Sequence, residues 1–211
     1  MRQELQDTAV EPAVAHCGRS QGNGSGLRDA LRAATLEAHE RLHWHRGFAA
    51  IAAGQISRGD YCRLLTRLLG LYLPLELALG LRPERSLWLQ ADLRCFKAPH
   101  AGARVPVCRS LPRVDNHGQQ LGVRYVIEGA ALGGQVLAKR LDALLGHSGV
   151  AGRRFFIGRG VATGSAWRSF LAELHAFDAE AAPRRALIQA ALDTFGAFEH
   201  WLSGWSGQLV R

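Results

Sequence analysis

The sequence predicts an all-α protein with one helical domain. Apolar residues recur every three or four positions along most of the 211 residues, and no segment of useful length alternates between apolar and polar side chains. The chain is 47% hydrophobic and 21% charged, a composition typical of a protein that buries a core. We expect about six packed helices in a domain over residues 27–211, preceded by a flexible tail over residues 1–26.

Capping residues and helix breakers set the expected boundaries of these helices. Ser57 is a suitable N-cap, Pro183 suits a first helical turn, and Pro74 should bend or end the helix that contains it. Glycine and proline predict connections over residues 97–118 and 146–164. The expected helices run from Leu27 to about Leu42, from near Ser57 past Tyr72, from Glu84 to Phe96, from about Gln119 to Leu145, from near Ser165 to about Phe177, and from Pro183 to about Trp205.

The charge pattern limits the classes of partner. With 26 Lys and Arg against 18 Asp and Glu, the net charge of +8 favours anionic ligands, acidic proteins or other polyanions. The arginines are scattered and no nucleic-acid-binding motif occurs, so we expect no nucleic-acid partner. We also expect a cytoplasmic protein that does not associate with membranes. No apolar run resembles a signal peptide, and Arg67 and Glu76 interrupt the most apolar stretch, residues 64–81.

The first helix carries a candidate metal ligand. Arg32 and His39 are seven residues apart, so they share one helix face about 10 Å from each other along the axis. Together they could bind a ligand that has a metal centre and an anionic edge. The alternative interpretation is a core histidine beside a solvated arginine.

The long helix near residue 130 contains an unusual group of glycines. Gly129, Gly133 and Gly134 each cost a helix interior about 1 kcal/mol relative to alanine. Gly129 and Gly133 lie on one face, where the missing side chains would let a flat molecule approach the backbone. Tight packing against another helix would explain the same residues equally well.

The segment from His39 to His43 also matches the zinc-protease pattern HExxH. The longer form of that motif fails, because Arg46 occupies the position of its third histidine. Glu76 could be invoked as another ligand, although nothing around it in the sequence supports that choice. A zinc hydrolase therefore stays an alternative.

Three separated segments together resemble the heme oxygenase family, and within it the bacterial, phytochrome-associated branch that produces biliverdin. They follow the family's order and span most of residues 27–203. The segments are Leu31-Arg32-x-Ala34-Thr35-x-x-x-His39, Tyr125-Val126-x-Glu128-Gly129-x-x-Leu132-Gly133-Gly134, and Phe155-Phe156-x-Gly158-x-Gly160 with Thr163-Gly164-x-x-Trp167-x-x-Phe170.

The resemblance implies a b-type heme between two helices, as both cofactor and substrate. His39 would be the axial ligand of the heme iron. The catalytic backbone surface over the other heme face would be formed by Gly129, Gly133 and Gly134. Arg32 and Tyr125 would bind the propionates. Arg124 and Arg168 are weaker candidates for the same role.

The implied reaction converts heme, O2 and reducing electrons to biliverdin, CO and ferrous iron. Its electron donor would be a ferredoxin, a flavodoxin or a flavin reductase, and the positive net charge suits an acidic donor. The biliverdin could supply a bacteriophytochrome with its chromophore, or the reaction could serve iron acquisition.

Two residues depart from the family pattern, and one of them, Arg159, replaces an expected tyrosine at the surface. Ala130 stands where many members have Asp or Ser, a polar group that organises water for proton delivery. A heme-binding or heme-delivery protein on the same fold, without catalysis, is therefore the alternative function.

Overall fold

A computed structural model describes residues 26–96, 105–147, 149–178 and 184–205, and within these ranges the chain is built from helices and their connections. None of the helices in this part of the chain is both long and apolar enough to cross a membrane. The helices are α1 (Leu27–His43), α2 (Arg46–Ala52), α3 (Arg58–Ala78), α4 (Glu84–Cys95), α5 (His117–Arg140), α6 (Asp142–Leu145), α7 (Arg154–Ile157), α8 (Thr163–Asp178) and α9 (Arg184–Ser203), with a 3₁₀ turn at Gly160–Ala162.

The all-α prediction is confirmed, and the six predicted helices correspond to α1, α3, α4, α5, α8 and α9. The short helices α2 and α7 were not predicted, because a helix of four to seven residues leaves little periodicity to detect. Helix α6 falls within the helix predicted to end at Leu145, which the structure divides at Leu141. The predicted tail over residues 1–26 lies outside the described residues except for Gly26. Part of the predicted 97–118 connection, residues 97–104, lies outside them as well.

Helices α5 and α9 form the centre of the fold and pack closely against each other. Gly122 makes this approach possible, since a Cβ at that position would overlap the carbonyl oxygen of Leu187. The same Cβ would lie 3.0 Å from Ala190 Cβ, which is itself in the buried stripe of α9. The spacing between the two helices therefore depends on the absence of a side chain at Gly122.

We expect Gly122→Ala to lower the free energy of unfolding by about 3 kcal/mol, because the backbone of α9 cannot move aside without opening the core. Urea denaturation measures this loss. Gly196→Ala is the matched control, since Gly196 lies in α9 and a Cβ there would have no described atom within 4 Å. The control should gain up to about 1 kcal/mol of helix stability. Equal stability of the two variants would contradict the close packing of α5 on α9.

Pro74 neither ends nor breaks α3, which continues to Ala78. A proline has no N–H, so the carbonyl of Gly70, four residues earlier, loses its helical partner. The Cys108 N–H supplies the missing hydrogen bond at 2.8 Å. Gly70 itself admits this segment, because a Cβ there would overlap the Pro106 carbonyl oxygen. Of the two expected effects of Pro74, bending or ending its helix, the second was wrong for this reason.

A buried carboxylate connects α3 to α4. Glu76 is fully buried, and its two oxygens accept hydrogen bonds from the Arg85 N–H at 2.9 Å and from the Ser86 N–H at 3.1 Å. The Ser86 hydroxyl donates a third bond at 2.5 Å. A negative group at the N-terminus of a helix satisfies N–H groups that have no helical partner. Glu76 therefore fixes the start of α4.

Candidate functional site

Helices α1 and α5 both pack against α9, and the space between the exposed face of α1 and the glycine face of α5 is called the cleft below. Although α1 and α5 are described over their full lengths, they make little direct contact with each other. A hydrogen bond between the side chains of Thr35 on α1 and Tyr125 on α5 connects the walls. His39 follows Thr35 by one turn, and Gly129 follows Tyr125 by one turn. His39 therefore shares a face of α1 with Thr35, and Gly129 shares a face of α5 with Tyr125.

The wall formed by α1 combines cationic and apolar side chains on one face. Arg28, Arg32, Leu36 and His39 are three or four residues apart, so their side chains project from the same side of the helix. The Leu36 side chain is 50% exposed, which is unusual for a large apolar residue beside a packed core. This face therefore offers apolar surface, positive charge and an imidazole to one ligand.

The His39 imidazole is available as a neutral ligand. Its side chain is exposed to the cleft, its ring meets the Phe195 ring edge to face at 6.3 Å, and neither ring nitrogen bonds to a described residue. Loss of hydration lowers the pKa of His39 below the ordinary 6.5, and the neighbouring His43 lowers it further, against the opposing charge of Glu40. A neutral ring nitrogen without a partner is the form that binds a metal.

Tyr125 and two arginines form a polar end of the cleft. Burial raises the pKa of Tyr125, while its hydrogen bond with Thr35 and the positive charges of Arg28 and Arg32 oppose that rise. The phenol and both guanidinium groups are thus close enough to act on one anionic group. The sequence analysis identified Arg32 and Tyr125 but missed Arg28. Its position one turn before Arg32 is the signal that could have shown it.

Two of the three glycines singled out near residue 130 leave open backbone on α5. A Cβ at Gly129 would lie 3.8 Å from Trp167, and one at Gly133 would have no described atom within 4 Å. One turn further along, Val136 is 63% exposed. The α5 wall is therefore bare main chain beside an exposed apolar side chain.

Gly134 does not contribute to this open surface, contrary to the sequence prediction. Gly134 is buried, and a Cβ there would lie 3.0 Å from the Phe156 carbonyl oxygen. Adjacent residues of a helix point about 100° apart, so Gly134 cannot share the face of Gly133. Its missing side chain serves the packing of α7 on α5, which was the alternative interpretation of the glycine group.

Helix α8 closes one side of the cleft. The Trp167 ring lies 5.9 Å from the Tyr125 ring and stacks at 5.5 Å on Phe170. The third segment of the family pattern therefore contacts the second. Arg124 is not part of the polar end, because its guanidinium pairs with Glu173 of α8 at 2.6 Å. Arg168 is exposed. Ala130 is exposed too, and its methyl side chain offers no polar group.

The zinc interpretation finds no convergent ligand set. Within the described ranges, no group of three His, Cys, Asp or Glu side chains is placed to hold a metal ion. Glu76 is engaged by the N-terminus of α4. His45, which follows this segment, is half-buried, and its Nδ1 accepts from the Gly47 N–H at 3.2 Å. Its Nε2 lies 3.2 Å from the Leu202 carbonyl oxygen, so His45 is a structural residue.

A separate cavity of about 720 Å³ lies on another side of α5, between α4 and α8. Its lining contains no residue of α1, so it is distinct from the cleft that holds His39. Charged side chains from three helices and the α7 connection meet there. They include Arg85, Glu128 and Arg159, with Trp88 and Phe170 on the walls.

Two comparisons relate this chain to known proteins. The family model described as heme oxygenase matches residues 25–204. No curated protein matches the chain. Among solved structures, the chain is similar to a crystal structure of heme oxygenase-1 from the cyanobacterium Synechocystis sp. PCC6803 in complex with heme. The similarity has a TM-score of 0.64 and 17% sequence identity, and it covers 85% of this chain and 91% of the other.

Proposed function

Because this chain belongs to the heme oxygenase family, we propose that it cleaves heme to biliverdin, CO and ferrous iron, using O2 and reducing electrons. The family and the all-helical fold support a heme-degrading function in general. Heme is then both the ligand and the substrate. The observation that carries the proposal is the cleft itself, which sets an unpartnered imidazole against bare backbone and places cationic groups at one end.

The residues of the cleft fit the chemistry of heme. A flat apolar macrocycle needs apolar walls without bulk, and Leu36, Gly129, Gly133 and Val136 provide them. Two propionates need cationic and hydroxyl donors at one edge. A central iron needs a neutral nitrogen ligand.

His39 would hold the iron from the α1 side. The lowered pKa keeps the ring neutral at pH 7, so no proton has to be displaced when the metal binds. When bound, heme supplies the redox-active iron and is itself the molecule that is oxidised. The neighbouring Phe195 ring restricts the orientation of the imidazole from the α9 side.

The polar end would set the rotation of heme in the cleft. Arg28 and Arg32 supply charge-assisted hydrogen bonds to carboxylates, and Tyr125 supplies a hydroxyl. Fixing both propionates fixes which meso carbon faces the closed side of the cleft. On the α5 side, Gly129 and Gly133 exclude side-chain bulk from the opposite heme face. Since Ala130 cannot donate a proton, water held by main-chain carbonyls would take that role.

The same proposal extends to partners and location. The net charge of +8 suits an acidic electron donor, which we propose to be a ferredoxin, a flavodoxin or a flavin reductase. Biliverdin released from the cleft would be available to a bacteriophytochrome in the cytoplasm. Residues 27–211 would form the working domain.

The test is to add hemin, a reducing system and air to the purified protein, and to follow the visible spectrum. Loss of the Soret band with growth of a broad red biliverdin band supports the proposal. A stable heme spectrum would favour the second candidate, a heme-binding protein without turnover, to which the apolar Ala130 points. A protein that binds no hemin would overturn both.

We expect Arg32→Glu to weaken heme binding roughly tenfold or to change the mixture of biliverdin isomers, since it replaces a charge-assisted bond by repulsion. Hemin titration and chromatography of the pigments measure the two effects. Arg41→Glu is the control, because Arg41 is exposed on another face of α1 and pairs with Glu199 at 2.8 Å. Equal behaviour of both variants would remove Arg32 from the propionate site.

A further inference from the structure

The open backbone segment of α5 needs support from the sides that do not face the cleft. Three glycines in six residues make the helix between Gly129 and Gly134 easy to bend. On the cleft side, Gly133 has no described neighbour within 4 Å of a Cβ position. The position of this segment must therefore be determined by contacts on its other faces.

One of these contacts is an ion pair that comes directly before Gly129. The Glu128 carboxylate lies 2.8 Å from the Arg85 guanidinium and 3.6 Å from that of Arg159. The side chains of Arg85 and Glu128 are only 7% and 12% exposed, so water screens their attraction little. Because Glu128 and Gly129 are consecutive residues of α5, this ion pair restrains the helix directly beside the bare backbone.

Arg85 is itself held in place. Its backbone N–H donates to Glu76 at 2.9 Å, and its guanidinium lies 3.9 Å from the same carboxylate, which is fully buried. The chain of contacts thus runs from α3 through the first turn of α4 to α5. Each charge in it has an opposite charge beside it, as buried ions require.

Packing alone does not hold α5 on this side. The cavity of about 720 Å³ borders both Arg85 and Glu128, so empty space lies where apolar side chains would otherwise fix the helix. Two contacts hold the segment farther along. The Gln135 side-chain amide donates to the Gly160 carbonyl at 2.6 Å, and Gly134 packs on Phe156. Beside Glu128, Val126 and Ile127 are buried in the core, and on the cavity side the ion pair holds this end of the segment.

We propose that Arg85, acting through Glu128, is a positioning residue that fixes the rotation of the glycine segment of α5 over the cleft. Arg85 does not line the cleft and touches no ligand there. It determines the height and orientation of Gly129 and Gly133, and hence which side of a flat ligand the backbone covers. As far as it concerns heme, this inference rests on the function proposed above.

Hydrogen exchange of the ligand-free protein tests the mechanical part of this proposal. Glu128→Gln keeps the size of the side chain and removes its charge, and Glu84→Gln is the control. Glu84 pairs with Arg159 at 2.9 Å beside the same cavity but does not belong to α5. We expect amides 129–134 to exchange roughly tenfold faster in Glu128→Gln, the loss typical of a bond to a charged group. Amides of α9 in that variant, and all amides in Glu84→Gln, should keep their rates.

A double variant keeps the test decisive if Glu128→Gln, which leaves the Arg85 charge without this partner, prevents folding. Arg85→Met with Glu128→Met replaces this pair by apolar groups of similar length, which is better tolerated than removing one partner. Glu76 then loses the Arg85 charge but keeps its three hydrogen bonds at the start of α4, so we expect a folded protein with a lower melting temperature, in which amides 129–134 still exchange fast and amides of α9 stay protected. Unchanged exchange of these amides in both variants, or equal acceleration in every helix, would overturn the proposal.

A second readout connects the ion pair to turnover. With hemin and reductant, Glu128→Gln should give a broader mixture of biliverdin isomers than Glu84→Gln, at similar heme affinity. Fast exchange with an unchanged isomer mixture would show that the pair is only structural and would overturn the positioning role. If the wild-type protein does not degrade heme, the proposed function fails, while the exchange experiment still decides whether the pair holds α5.

Discussion

Replacing His39 with alanine is expected to lower heme turnover by about a hundredfold or more. Losing only a group that supports a metal ligand costs roughly 10–100-fold, so losing the ligand itself should cost at least as much. The helix should stay folded, because alanine has the highest helix propensity and His39 has no hydrogen bond to a described residue. Heme should still associate through Leu36 and the other apolar surfaces, with an altered Soret band. Spectroscopy of the hemin complex and single-turnover biliverdin yield measure these effects.

His43→Ala is the matched control for this experiment. His43 lies one turn beyond His39 at the end of α1, where it is exposed and packs edge to face on Trp44 at 5.7 Å. Its loss should leave turnover within about a factor of two, as for surface substitutions away from a site. Normal turnover by His39→Ala would contradict the ligand assignment. A similar loss in both variants would instead favour the interpretation in which both histidines of the HExxH segment bind a metal.

Gly133→Leu is expected to block heme binding while it stabilises the ligand-free protein. The ligand-free cleft has room for the side chain, since a Cβ at Gly133 would meet no described atom within 4 Å. Replacing a helical glycine adds up to about 1 kcal/mol of stability. The same leucine would fill the space that a flat ligand needs, so hemin affinity should fall about a hundredfold. Hemin titration and thermal unfolding should therefore move in opposite directions.

Gly196→Leu separates the two effects. Gly196 is an exposed helical glycine with equally open surroundings, but it lies on the face of α9 turned away from the core. This variant should gain the same stability and keep full hemin affinity. If Gly133→Leu binds hemin as well as Gly196→Leu does, the α5 wall does not face the ligand.

The long helices were predictable because each follows its own local pattern. The recurrence of apolar residues every three or four positions along α1 and α9 and the Ser57 cap of α3 are both visible in a few consecutive residues. His39 and Gly129 were found for the same reason, since each belongs to a short segment with recognisable spacing. The cap of α3 is confirmed by the hydrogen bond from the Asp60 N–H to the Ser57 hydroxyl at 3.1 Å.

Contacts between distant segments could not be predicted in this way. Gly133 and Gly134 have the same composition and adjacent positions, yet one faces open space and the other packs on Phe156. Only the placement of α7 decides between them. Likewise, the pair of Arg85 and Glu128 joins residues 43 positions apart, and neither carries a local signal of its partner. The continuation of α3 past Pro74 depended on the same kind of distant contact.

The hydrogen bond from the Cys108 N–H to the Gly70 carbonyl also makes the geometry of the cleft independent of the length of the loop before Cys108. Whatever the length of the chain between α4 and residue 108, the Cys108 N–H must lie at the Gly70 carbonyl, which has no helical donor because of Pro74. From that point only eight residues precede the start of α5 at His117. Insertions or deletions before Cys108 would consequently be absorbed upstream, and relatives of this protein could vary in length there while their cleft walls stay in register.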